Sequence, residues 1–212
     1  MLTSITPLGE RGRRARWGVT VASYLVGSVL AGATAGAAAG VVGEIGAGLL
    51  HAAGWQPAAW VALALFSVAA VAGAVADSIA RGRALPGPRR QVDEDWLARY
   101  RGWVYGGGFG VQLGVGVATI VTSASVYVTW AAATLTASPG AGATVGAAFG
   151  LARGLPVLGM RGVRSAATLA AVHRRLAAAE PAARRATVAV LSLVAVVGTG
   201  AAALLTSSAG GT

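Results

Sequence analysis

Three uncharged polar side chains stand at helical steps inside one long apolar stretch. They are Gln112, Thr119 and Ser123, at spacings of seven and four, with Tyr127 four further on. On one continuous helix they share a face. Such a face does one of two things: it lines a path for a polar solute, or it holds a neighbouring helix by hydrogen bonds. Ser and Thr hydroxyls can return to the backbone one turn earlier; Gln112 does so less readily and needs a partner. Arg153 adds a charge to a second apolar stretch, three residues before Pro156. Proline lacks a donor and clashes with the carbonyl four residues back, which frees acceptors near residue 152. Arg161 lies eight residues on, about 12 Å of helix, so Arg153 either snorkels toward headgroups or turns inward to an anion or acid. Gln112, Thr119, Ser123 and Arg153 are the candidate substrate path.

Other reactive residues are sparse. Asp77 precedes Ser78 and stands four before Arg81, a spacing for an interfacial ion pair. Glu44 lies near the outer end of the first apolar stretch and is a doubtful partner for Arg153. His51 and His173 lack ligand-spaced companions, so no metal site is expected. The chain has no Cys, which excludes disulfides, thiol redox chemistry and thiolate metal sites. No paired acids stand within the apolar stretches. The reading is therefore not an enzyme, with no catalytic residues and no cofactor.

The elements that must position these residues are membrane helices. Apolar types make up 55% of the 212 residues and charged types 11%, under half the usual quarter, so a soluble surface could not be covered. Five stretches are long enough to cross a bilayer, roughly 17–50, 58–76, 104–133, 140–160 and 186–206, with six left open. The expected fold is an all-α polytopic bundle in a single integral-membrane domain. All 17 cations are Arg, and 16 of them fall in the segments before spans one, three and five, the last two being loops 81–103 and 161–185. The positive-inside rule then places the N-terminus in the cytoplasm and the C-terminus outside, in a plasma membrane. Net charge +10 thus reflects loops in contact with a bilayer, and no nucleic-acid partner is implied. Trp17 and Trp103 mark inner span ends; Trp55, Trp60 and Trp130 mark outer ones. A cleaved leader is disfavoured, because the first apolar stretch far exceeds a signal core of about 7–15 residues.

Spans one and three are over-long and glycine-rich, which suggests tilted or broken helices. Each follows a basic segment, and the pattern of outward span and return span hints at a duplicated unit. Span one carries a column at steps of four: Thr20, Tyr24, Ser28, Gly32, Gly36, Gly40, Glu44 and Gly48. Span four carries Gly142, Gly146, Gly150 and Gly154. Small residues so spaced let helices approach closely, making Gly32, Gly36, Gly40, Gly142, Gly146 and Gly150 the candidate packing positions. The run Gly106-Gly107-Gly108 is either packing or a helix break whose freed backbone faces a ligand. In the loops, Asp93-Glu94-Asp95 reads as a helix N-terminus leading to Trp96, Tyr100 and Trp103 on one face. Val163–Ala179 reads as an interfacial amphipathic helix that ends at Pro181.

The segments Tyr105-Gly106-Gly107-Gly108-Phe109-Gly110-Val111-Gln112-Leu113-Gly114 and Gly150-Leu151-Ala152-Arg153-Gly154-Leu155-Pro156 resemble the small exporter-type membrane proteins. That group includes lysine exporters, sulfite exporters and the DsbD/CcdA-like electron carriers. The redox branch depends on membrane cysteines, which this chain lacks. The resemblance implies a compact transporter-like bundle with broken helices. Two function classes follow: a transporter or exporter of a small, anionic solute, and a non-catalytic subunit or assembly factor of a membrane complex. In the second, glycine seams meet a second copy or another membrane protein.

Overall fold

The computed structural model describes residues 5–81, 83–87, 96–118 and 121–209. Among them there is no strand. Eight α-helices follow in order: α1 (Pro7–Gly12), α2 (Trp17–Ala52), α3 (Ala59–Ala80), α4 (Trp96–Arg99), α5 (Gly102–Val115), α6 (Ser125–Leu135), α7 (Pro139–Gly154) and α8 (Ala166–Ala209). A 3₁₀ segment, Leu155–Gly162, extends α7. Among the described residues, four helices are long and apolar enough to cross a membrane: α2, α3, α7 with its extension, and α8 to Ser208.

The surface chemistry suits hydrocarbon. On α3, Leu65, Val68, Val71, Val75 and Ile79 are exposed along one stripe, while Ser67, Ala70, Gly73, Ala74 and Asp77 are buried. A helix in water would reverse that arrangement. Large apolar residues outside with small and polar ones inside identify a multi-pass membrane fold, since lipid does not penalise the exposed side chains.

Contacts divide the chain into two units. The first gathers Met1–Ala35, Gly87–Ile120 and Gly146–Pro181; the second gathers Gly36–Pro86, Val121–Val145 and Ala182–Thr212. In the first, Ile5, Val21, Tyr24, Tyr105, Phe109 and Val157 form the core. Thr6 opens α1, its hydroxyl accepting from the Gly9 N–H at 3.1 Å with Pro7 in the first turn. The core of the second unit is Ala70, Ala74, Val128, Leu191 and Ala195, where α3, α6 and α8 meet.

The stretch 104–133 is one of the two for which a tilted or broken helix is expected, and it is broken: α5 stops at Val115 and α6 starts at Ser125. Two expectations that assume other boundaries need correction. The steps of seven and four therefore do not place Gln112, Thr119 and Ser123 on one helical face. Pro181 does not end a helix either, because α8 runs through it for 44 residues. Proline forfeits one backbone bond, but residues 173–183 are exposed, so the freed carbonyl can meet solvent. The interfacial helix and span five are one element. Pro156, by contrast, does change the geometry: the α-helix gives way to 3₁₀ pairing at Leu155.

Candidate functional site

The break in the third apolar stretch leaves backbone groups that need partners. In the first unit, α5 ends at Gly116, whose φ of 75° lies in the left-handed region and whose N–H bonds the Leu113 carbonyl at 3.1 Å. The Gly116 carbonyl accepts from Arg153 Nη1 of α7 at 3.4 Å. Phe149, one turn earlier on α7, packs over Gly116 and lies 5.3 Å below the Arg153 guanidinium. A Cβ on Gly116 would come within 2.8 Å of the Phe149 ring, so the position requires glycine for space as well as for φ. A cation thus faces the negative end of α5, where carbonyls lack helical partners. The acceptor of Arg153 is a backbone carbonyl rather than an acid. Glu44 is exposed on the part of α2 that belongs to the second unit.

In the second unit the opposite arrangement holds α6. Asp77, near the end of α3, is 4% exposed. Its carboxylate accepts from the Ala124 N–H at 2.6 Å and from the Ser123 hydroxyl at 2.8 Å. The Ser123 Oγ in turn accepts from the Ser125 N–H at 3.2 Å. An anion therefore sits at the positive, N-terminal end of α6. The expected ion pair with Arg81 is not formed. Arg81 instead gives its backbone N–H to the Asp77 carbonyl at 3.3 Å, closing α3 in a left-handed turn. Asp77 serves the free N–H groups of a broken helix, which outrank an exposed cation because they have no water to turn to.

Of the four candidate path residues, Gln112 and Arg153 belong to the first unit and Ser123 to the second; Thr119 lies outside the described residues. Gln112 is half-buried and makes no side-chain hydrogen bond among the described residues. The Asp93-Glu94-Asp95 helix start also lies outside them.

The glycine columns meet backbone. In the first unit, Thr20, Tyr24, Ser28 and Gly32 are buried along α2. A methyl group on Gly110 or Gly114 of α5 would overlap the carbonyl of Tyr24 or Ser28. On α7, one on Gly150 would overlap the Ser28 carbonyl, and one on Gly32 of α2 would overlap that of Gly146. Ser28 is fully buried where these three helices touch, and its hydroxyl donates to the Gly150 carbonyl at 2.7 Å. In the second unit, Gly142 approaches the Gly36 carbonyl and Gly40 approaches that of Ser138. Gly48 and Glu44, further along α2, are exposed.

Sequence reasoning missed Glu10. This acid, 1% exposed, accepts from Arg13 at 2.9 Å, from the Thr20 hydroxyl at 2.7 Å and from the Tyr105 hydroxyl. Burial works against the Arg13 charge, but its bonds to Glu10 and Tyr105 outweigh that and raise its pKa. A lone acid beside a run of Arg was the available signal. Among the described residues no group of three or more His, Asp or Glu converges as a metal site would require. No protein-family model matches the chain, and comparisons with curated proteins and with solved structures find no match.

Proposed function

We propose that the protein is a membrane transporter or exporter of a small anionic solute. Five crossings, an inner N-terminus and an outer C-terminus belong to the same reading. One observation carries it. The third apolar stretch is interrupted, and the two helix ends this creates are faced by Arg153 and Asp77. A break in a spanning segment is costly unless its backbone lies inside protein or lines a wet cavity, and such breaks recur at transporter sites. Arg153 uses one of a guanidinium's five donors on Gly116, which leaves capacity for an anion. The exporter-type resemblance of these same segments supports the reading.

The chain's lack of Cys makes the test clean. Single cysteines at Val117 and Ala118, next to Gly116 in the first unit, should react with a membrane-impermeant thiol reagent, and a panel of small anions should slow the reaction. A cysteine at the lipid-facing Leu65 sets the unreactive baseline. Baseline reactivity at both positions would overturn the solute path. Cysteines at Arg164 and Ala137 report orientation: the first should label only from the cytoplasmic side, the second only from outside.

The second reading, a non-catalytic membrane subunit, has its own support. Gly46 and Gly48 of α2 and Gly200 of α8 have nothing within 4 Å of an added methyl group, so small-residue surface stands uncovered by the described residues. Stoichiometric co-purification of a partner in mild detergent, together with thiol silence at the break, would favour it.

A further inference from the structure

The turn between α1 and α2 carries Arg13, Arg14 and Arg16, and α5 is preceded by Arg101. These four side chains line one cavity of about 490 Å³, together with Tyr100 and Trp103. The turn is fixed rather than loose. Arg14 holds a left-handed φ of 55°, and the N–H of Ala15 bonds the Glu10 carbonyl at 2.9 Å. A non-glycine residue in that region is strained. Arg13 and Arg16, on either side of the bend, both line the cavity.

Among the described residues that line the cavity, every charged one is an arginine. The described acid bonded to that lining is Glu10, and both its oxygens are engaged by Arg13, Thr20 and Tyr105. The first turn of α5 also opens here: Arg101 caps it without a side-chain bond, while its carbonyl takes the N–H groups of Val104 and Tyr105. The N–H groups of Gly102 and Trp103 precede those and point to the helix's positive end. Arginine forks and free N–H groups together match the tetrahedral oxygens of a phosphate.

We propose that this cavity binds the phosphate of an anionic phospholipid headgroup. Lipid is favoured over a soluble phosphate because the rim is amphipathic: Trp103 is 58%, Tyr100 50% and Val19 50% exposed beside the arginines. Aromatic rings of this kind settle at headgroup depth, and the site belongs to the Arg-rich side, where a cytoplasmic leaflet carries its anionic lipid. The proposal rests on the inner N-terminus proposed above, but not on transport.

The test is native mass spectrometry of the full chain in mild detergent, titrated with phosphatidylglycerol and, separately, with phosphatidylcholine. The wild type should retain phosphatidylglycerol preferentially. R14Q/R16Q/R101Q should weaken that binding roughly tenfold or more. The charge-matched control R164Q/R174Q/R175Q, on exposed positions of another segment, should change it little. The corresponding triple Lys variant keeps charge without the fork and should fall between. R101Q alone should weaken binding by a smaller factor, and it stands in if the triple variant fails to fold. Equal losses from the two triple Gln variants would overturn the site in favour of diffuse attraction. Inorganic phosphate that binds alone and displaces the lipid, with no preference between the two lipids, would overturn the lipid assignment.

Discussion

Span one and span three look alike in sequence. Each is about thirty residues long, crowded with glycine, and opened by an Arg within two residues of a Trp. Yet α2 is unbroken over 36 residues, whereas the other stretch divides into α5 and α6. Glycine content alone does not explain the difference, although the end of α5 uses the positive φ of Gly116. Gly106, Gly107, Gly108 and Gly110 all lie within α5, and Gly32, Gly36 and Gly40 lie within α2. In both helices glycine serves close approach of another backbone. The interruption comes instead where a neighbouring helix supplies a charge to each free end: Arg153 for the carbonyls of α5, Asp77 for the N–H groups of α6. Away from water, a helix breaks where its orphaned groups have partners, not where its residues are merely permissive.

The largest test of that contrast falls on α2. Gly32→Leu forces a side chain into the Gly146 carbonyl and the Gly150 Cα, and should cost about 3 kcal/mol through overpacking. Ala38→Leu, on an exposed face of the same helix, should stay within about 0.5 kcal/mol. Gly36→Leu should resemble the first. Thermal unfolding in mild detergent, followed by circular dichroism, measures all three. Equal effects at 32 and 38 would mean that these glycines do not hold helices together.

At the break, Asp77→Ala leaves the Ala124 N–H without its buried acceptor and should cost about 1–3 kcal/mol. Asp77→Asn retains an acceptor oxygen but no charge and should cost less. Amide exchange at Ala124 is the local reporter, and protection there should fall before protection in α2. Unchanged protection would show that α6 starts where it does for some other reason. Gly116→Ala should cost about 1–2 kcal/mol, combining the positive φ with the crowding of Phe149. Pairing it with Phe149→Ala relieves only the crowding, and the residue of the effect is the backbone's share.

Much of the fold was legible. Apolar length located α2, α3 and α7, and the steps of four pointed to the buried side of α2 as far as Gly40. The break was not legible at its true place, because its causes lie on other helices. Asp77 is 47 residues from Ala124, and Arg153 is 37 from Gly116. Periodicity sees only neighbours a few residues apart, so a polar face could be drawn through a helix that stops. Asp77 was read against Arg81 for the same reason: four residues is a spacing a sequence displays. Glu10 escaped because it lies outside every apolar stretch, although its partners Thr20 and Tyr105 lie within two of them. Pro181 misled in the other direction, since proline's cost is small where the freed carbonyl is exposed.

The smallest expected effect on stability concerns Arg153, and it separates structure from function. Its bond to Gly116 is long at 3.4 Å, so as a charge at a helix end it should contribute only about 0.3–1 kcal/mol. Arg153→Lys keeps that charge, and Arg153→Ala removes it along with the contact over Phe149. If capping α5 is its whole role, Lys should be nearly silent, Ala should lower the melting temperature slightly, and nothing else should change. If the guanidinium also receives an anion, its planar fork matters and Lys is a poor substitute. Protection of a cysteine at Ala118 by small anions should then weaken in the Lys variant and vanish in the Ala variant, while both remain folded. Loss of protection in step with stability would reduce Arg153 to a cap. Loss without it would make the end of α5 a binding site.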